Sequence, residues 1–433
     1  GDGKEDPALF NPSELNAEQW VRTLKEAGFK MVLLTAKHHD GFCLWPTATT
    51  KHSVASSPWK KGQGDVVREL RKACDKYDMK FGVYLSPWDR NAECYGDSPR
   101  YNDFFIRQLT ELLTNYGEVH EVWFDGANGE GPNGRKQVYD WERYYEVVRR
   151  LQPGANIFGC GPDVRWCGNE AGDTRPSEWS VVAAELADAE KVAALSQQED
   201  NAQFREKKLT STDMNLGSRD VLKDKTDLIW FPAEVDVSIR PGWFYHEEEN
   251  DKVRSFENLK EIYLKSVGGN CTLLLNIPPD KDGLIREEDR KSLFRLGNFI
   301  REAFQVNQAE EAEIEMVPSA DCEGNDGSVL LEPGDDSWFR NPDGQRELQI
   351  TLLWEKERTL DYLVVQEAIA FSQRVEQFEV SFMDEGGSWK LFAEGTTVGY
   401  KRIVPLNGLH TKGLRFKVTD ARVAPVLAFV GVY

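Results

Sequence analysis

Along the first two-thirds of the chain, apolar positions alternate between two patterns: stripes at three- and four-residue spacing, and short unbroken apolar runs. The stripes predict helices and the runs predict fully buried strands, so the order reads as successive parallel βα units. Asn16 stands as an N-cap with Gln19 three residues on. Trp20, Val21, Leu24 and Ala27 form the stripe, Gly28 stops it, and a strand follows over 31–35. The cycle repeats from Asp65 through Val66, Val67, Leu70 and Cys74 to a strand over 81–85. Ser98 and Pro99 open a third helix through Phe105, Leu109, Leu112 and Leu113. Gly117 ends it before a strand that runs through Trp123 to Asp125. Further helices are predicted over 139–151, 253–267 and 287–304, and further strands over 156–158, 178–182, 227–231 and 271–277.

These seven strands are one short of a closed (β/α)8 barrel. The eighth is expected before Asn16, where residues 1–12 are polar and carry prolines. The chain as given is therefore expected to start just past that strand, since an open barrel would leave strand edges and apolar interior exposed. Residues 188–225 are polar and read as an excursion over the barrel mouth. After about residue 309 the pattern changes to alternating strands with Gly and Asn turns, over 347–352, 360–365, 378–382, 390–392, 414–418 and 426–433, which predicts an antiparallel β-sandwich. The expected organisation is a (β/α)8-like domain over 1–308 that lacks its first strand, and a β-sandwich domain over 309–433.

Lys plus Arg number 53 against 73 Asp plus Glu, and the net charge of −20 disfavours nucleic acid and anionic membrane surfaces as partners. Seven cysteines, at 43, 74, 94, 160, 167, 271 and 322, lack CxxC pairs and are odd in number, so they are read as mostly free, buried thiols. No apolar run reaches about 18 residues, so no membrane insertion is expected. Thirteen Trp residues exceed what a plain core needs, and flat aromatic faces stack on sugars as readily as on one another.

The chemistry gathers at strand ends, where an α/β barrel builds its active site. In the third strand, alternation turns Trp123 and Asp125 to one face and Val122 and Phe124 to the other, placing a carboxylate beside an aromatic wall. His38 and His39 follow the first strand. Sequence neighbours rarely converge on one ion and no third His lies at ligand spacing, so hydrogen bonding to substrate hydroxyls is expected and no metal or other cofactor. Glu170 sits on a loop between glycines. Two carboxylates on separate strand ends are the apparatus of glycoside hydrolysis, with Asp125 as nucleophile, Glu170 as acid/base, and Glu178 and Glu234 as competitors for the second role.

On these residues the chain resembles the α-L-fucosidases of glycoside hydrolase family 29. The resemblance rests on Lys37 to Phe42 with Trp45, on Trp123-Phe124-Asp125-Gly126, on Gly168-Asn169-Glu170 through Glu178-Trp179-Ser180, on Pro232-Ala233-Glu234 and Ile239-Arg240-Pro241-Gly242-Trp243, and on the run from Leu273 to Pro279. It implies a retaining, exo-acting double displacement, and the Gly-Asn-Glu and Ile-Arg-Pro-Gly-Trp pieces resemble the subfamily acting on α-1,3/1,4-linked fucose. It also implies that His38, His39, Trp45 and Trp123 shape the fucose pocket, that Arg240 and Trp243 contribute to substrate binding, that fucosylated oligosaccharides or glycoconjugates are the partners, and that the protein is periplasmic or secreted. The family carries a sugar-binding histidine on its first strand, which this chain as given begins beyond. The competing class is a catalytically silent fucose- or glycan-binding protein. Retention of both Asp125 and Glu170 favours the enzyme, because binding alone does not need two mutually repelling carboxylates. A metal-dependent barrel hydrolase would rest on the histidine pair alone.

Overall fold

The computed structural model describes residues 1–188, 214–318, 327–334 and 337–433, so Cys322 and most of the 188–225 excursion lie outside the described residues. Seven parallel strands form the barrel-like sheet: β1 Met31–Lys37, β2 Lys80–Leu85, β3 Glu121–Phe124, β4 Asn156–Gly159, β5 Val164–Trp166, β8 Ala233–Ser238 and β9 Cys271–Asn276, paired in that order. Helices α1 Ala17–Glu26, α2 Val66–Lys76, α3 Ser98–Asn115, α4 Trp141–Leu151, α5 Phe256–Ser266 and α6 Glu287–Ala303 cover its outer face. Capping fixes several starts: the side chains of Asn16, Asp65 and Asp140 each accept the backbone N–H three residues on, a contact worth about 1 kcal/mol. No helix among the described residues is long and apolar enough to cross a membrane.

The expected strands over 178–182 and 227–231 are not barrel staves. Their cores, β6 Val181–Ala183 and β7 Leu228–Trp230, pair antiparallel with each other as a separate ribbon. The staves in their place are β5 and β8. A buried parallel strand normally reads as a continuous apolar run. In β8 only Ala233, Val235 and Val237 meet apolar neighbours, while Glu234, Asp236 and Ser238 alternate with them and are equally buried. Acids on the inner face broke the expected pattern, and β5 is three residues long with an Arg at its centre. In β3 the expected division holds: Val122 and Phe124 join the outer core, and Trp123 packs inside with Tyr84, Phe158, Val164, Leu33 and Leu274.

The two ends of the sheet, β1 and β9, do not pair with one another, and Thr35 and Thr272 on them are exposed. Helices and loops bridge the opening. Asn16 N–H and the Trp20 indole donate to Gly283 O at 3.2 and 2.8 Å, and Ala27 packs so closely on α6 that a Cβ on Gly297 would lie 2.7 Å from its Cα.

The described strands from Glu313 to Val432 form one antiparallel sheet that folds over on itself as a sandwich. Strands β10 Glu313–Val317, β11 Phe339–Arg340, β12 Leu348–Glu367, β13 Val375–Met383, β14 Trp389–Gly395, β15 Arg402–Ala421 and β16 Val426–Val432 enclose a second core. The long β12 and β15 serve both layers: β12 pairs with β10 along its first half and with β16 along its second. The sandwich leans on the barrel through Tyr362, Val364, Ile403 and Phe429, which meet Tyr263, Phe299 and Phe304. Six of the seven cysteines are described; they are thiols, and five are buried.

Two buried groups of the barrel yield predictions. Glu121 and Glu234 are buried together. Burial raises Glu121 from 4.5 to about 8, and burial and the neighbouring Glu121 charge raise Glu234 well above its ordinary value. The folded chain thus holds protons that the unfolded chain releases, so this contribution to stability is complete below about pH 4.5 and is lost as pH rises through about 8. Glu121→Gln keeps the neutral shape, and its Tm should fall less steeply than the wild-type Tm between about pH 5 and 9; parallel curves would show that Glu121 is ionised in the fold. Arg240 at the end of β8 donates to both oxygens of Asp289 on α6, at 3.0 and 2.6 Å, with both side chains 0% exposed. Asp289→Ala strands a buried guanidinium and should cost about 3–5 kcal/mol in urea unfolding, whereas a cost under about 1 kcal/mol would mean the pair is solvated.

Candidate active site

The pocket is built outward from a buried ion pair. Lys37, the last residue of β1, donates to Asp89 Oδ2 at 3.0 Å and to Gln108 Oε1 of α3 at 2.8 Å, and Lys37 and Asp89 are 0% and 2% exposed. The other Asp89 oxygen accepts the N–H groups of Asn91 and Ala92, which shapes the loop after β2. The loop after β1 then turns tightly at Gly41, whose φ is +79° and whose missing Cβ would lie 2.2 Å from Asp89 Oδ1. No other residue fits there.

Asp125 stands just beyond β3, with its side chain 21% exposed. Tyr84 of β2 donates its hydroxyl to Asp125 Oδ2 at 2.7 Å, and Ala127 N–H donates to Oδ1 at 2.8 Å. Burial and the Asp125 charge push the Tyr84 phenol well above its usual range, so it remains a donor. His39 Nε2 lies 3.9 Å from Asp125 Oδ2. Its Nδ1 lies 2.7 Å from Ser86 Oγ, and that hydroxyl gives its own hydrogen to Trp88 O at 2.9 Å. Ser86 must therefore accept from Nδ1–H, which assigns the tautomer and turns a bare Nε2 lone pair toward the pocket. Burial is the main cause that lowers both histidines to about 3, joined for His38 by the neighbouring His39 charge and for His39 by Arg90. Both are neutral hydrogen-bonding groups in the ordinary working range. The His38 ring lies tilted 3.9 Å from that of His39 and meets the edge of Phe244 at 5.1 Å, while Trp88 lies 5.0 Å from His39 and Trp123 lies 5.5 Å from Tyr84.

Glu170 is half-buried on the loop that follows β5. Asn169 organises that loop: its side-chain oxygen accepts Ala171 N–H at 2.9 Å and its amide donates to Asp173 O at 3.0 Å. The competitors for the acid role are otherwise engaged. Glu178 is 0% exposed and is locked between Arg165 and Arg175. Glu234 is 2% exposed and accepts the Trp123 indole N–H at 2.7 Å inside the barrel. Asp236, higher on β8, accepts the Trp166 indole at 2.6 Å; burial raises it to about 7, the indole bond opposes the shift, and the Asp125 charge adds to it.

The structure thus brings Asp125, His38, His39 and Trp123 together. It does not bring Trp45 or Arg240 to that surface. Trp45 is 1% exposed in the outer core with its indole on Glu111, so it supports the wall from behind, and Arg240 is spent on Asp289. Trp243 is half-buried and anchored through its backbone carbonyl by Asn276 at 2.9 Å, and its neighbour Phe244, 50% exposed, is the residue of this segment that reaches His38. Tyr84, Asp236 and Phe244 were not singled out from sequence. Alternation puts Tyr84 on the same face as Gly82, but only the strand pairing, which sets Tyr84 opposite Trp123, brings it to Asp125.

Comparison with known proteins extends this geometry. Residues 4–303 match the family model described as α-L-fucosidase. Alpha-L-fucosidase 1 of Arabidopsis thaliana is 40% identical over an alignment covering 100% of this chain and 81% of that protein. A Bacteroides ovatus crystal structure is 53% identical with a TM-score of 0.85, covering 100% of this chain and 68% of that one. A Ruminococcus gnavus GH29 fucosidase, solved in complex with fucose, is 29% identical with a TM-score of 0.84, covering 100% of this chain and 88% of that one. A likeness that leaves no part of the chain uncovered, joined to a strand-end carboxylate steadied in an aromatic pocket, places it: this chain belongs to the α-L-fucosidases of glycoside hydrolase family 29 and is a glycosidase.

Proposed function

We propose that the protein is a retaining, exo-acting α-L-fucosidase for α-1,3/1,4-linked fucose at the ends of branched glycans, with Asp125 as nucleophile and Glu170 as acid/base. The observation that carries this reading is the Asp125 carboxylate, held by Tyr84 and Ala127 N–H at the mouth of the barrel beside two neutral histidines. Asp125 attacks the anomeric carbon and forms the fucosyl–enzyme ester while Glu170 gives its proton to the departing glycosidic oxygen. Glu170 then takes a proton from water, whose oxygen displaces Asp125 and restores the original configuration. His38 and His39 bind sugar hydroxyls, with His39 Nε2 as an acceptor. Trp123 forms the floor, Trp45 backs the wall, and Trp243 with Phe244 borders the mouth. No cofactor enters these steps. The division into a catalytic domain over 1–308 and a sandwich domain over 309–433, and a periplasmic or secreted location, belong to the same reading.

The two carboxylates can be told apart by the product that azide gives. Asp125→Ala should lose turnover while keeping its Tm, and azide entering the vacated space should displace the aglycone once and yield β-fucosyl azide. Glu170→Ala still forms the ester, so azide should displace Asp125 in a second inversion and yield α-fucosyl azide. Its rate on unactivated glycans should fall about 10²–10⁴-fold, and far less on an aryl fucoside whose leaving group needs no proton. Near-normal turnover by Asp125→Ala, or equal losses on both substrates in Glu170→Ala, would withdraw the respective role. Linkage is checked separately by fucose release: branched α-1,3- and α-1,4-fucosylated trisaccharides should be cleaved at least about tenfold faster than an α-1,2-linked disaccharide, a discrimination of about 1.4 kcal/mol. The reverse order would remove the subfamily assignment.

A further inference from the structure

The loop carrying Glu170 is held at one end by the barrel and at the other by the sandwich. On the barrel side, Arg175 donates to Cys167 O at 3.1 Å and pairs with Glu178, which also receives Arg165 of β5. On the other side, Gln373, between β12 and β13 and 1% exposed, accepts Ser180 N–H at 2.7 Å and donates to Glu178 O at 3.0 Å. Asn270, just before β9, donates to the same carbonyl at 3.0 Å and accepts Tyr400 N–H at 2.8 Å. Arg402 and Thr396 donate to Pro176 O at 2.9 and 3.2 Å, and the Thr396 hydroxyl lies 2.6 Å from that of Ser177.

These contacts are more than domain adhesion. The apolar patch at Tyr362, Val364, Ile403 and Phe429 already joins the sandwich to the barrel helices. The polar contacts are aimed instead at 176–180, a segment with no regular secondary structure to fix its path. A buried amide that satisfies a backbone N–H and a backbone C=O of an irregular segment holds it in one geometry.

We propose that the sandwich domain positions the acid/base of the reaction: Gln373, assisted by Thr396 and Arg402, pins 176–180 and thereby sets the loop from which Glu170 meets the departing oxygen. Gln373 is a positioning residue, and the proposal rests on the role given to Glu170 above. Displacing a catalytic group by about 1 Å costs up to about 10²-fold in rate, and the loss falls on the step that needs that group.

The test compares Gln373→Met, which keeps the volume and deletes the hydrogen bonds of the amide, with Thr396→Val, an isosteric change at a half-buried site. For each, kcat and KM are measured on an aryl fucoside with a good leaving group and on an unactivated fucosyl oligosaccharide, with Tm as the check on folding. The expected result for Gln373→Met is a loss in kcat of about tenfold or more on the oligosaccharide, less than about twofold on the aryl fucoside, and little change in KM. Thr396→Val should show the same split at smaller size. Should Gln373→Met fail to fold, Thr396→Val decides alone. Equal losses on both substrates, or none, in folded variants overturn the proposal. Glu170→Ala runs in parallel: if it shows no dependence on the leaving group, the Glu170 assignment fails, and if it does while the folded sandwich variants do not, only the positioning role fails.

Discussion

The buried pair of Lys37 and Asp89 is the interaction on which the pocket depends. Two charges taken out of water are tolerated only when each is fully engaged, and here the ammonium meets a carboxylate and an amide oxygen while the carboxylate also accepts two backbone N–H groups. The pair joins the ends of β1 and β2, the two strands whose loops supply His38, His39, Ser86 and Trp88. Breaking it would leave a charge without a partner in the core, so the loops have little freedom to move apart. Gly41 and the His39 tautomer both follow from this geometry, one by the space that Asp89 occupies and the other by the single hydrogen of Ser86.

Inside the barrel, four acids face inward on two strands or just beyond them, and their surroundings separate their roles. Glu121 and Glu234 are desolvated together and hold protons, and Asp236 is raised to about 7. Asp125 stands higher, partly open to solvent, with a hydrogen-bond donor on each oxygen. The same side-chain chemistry thus gives neutral interior groups below and a nucleophile candidate at the mouth, set by depth and by donors. The indoles of Trp123 and Trp166 link the layers, since each presents its ring and gives its N–H to one of the lower acids.

The second domain contributes to this arrangement through backbone contacts. Gln373 and Ser180 are distant in sequence, yet their bond reaches the segment that closes the loop carrying Glu170. That bond ties the β-sandwich to the irregular segment of the barrel that follows Glu170.

Local information settled a good deal. The helix caps at Asn16 and Asp65, the alternation that turns Asp125 inward, the strand-end histidines and the change of pattern near residue 309 are short-range consequences of side-chain period and hydrogen-bond chemistry, and they were legible in the chain. Family likeness added the activity, since the chain matches α-L-fucosidases along its whole length. Tertiary structure decided the rest. β8 was hidden because its inward acids are tolerated only when a closed interior keeps them protonated or bonded to indoles, and the segments over 178–182 and 227–231 became a ribbon because they found each other. Trp45 and Arg240 sit in motifs that resemble a binding site, yet Glu111 and Asp289, far along the chain, claim their polar atoms. What a period or a cap determines is carried by neighbours in sequence; what a buried polar group does is determined by the partner that satisfies it, and that partner is chosen only when the chain folds.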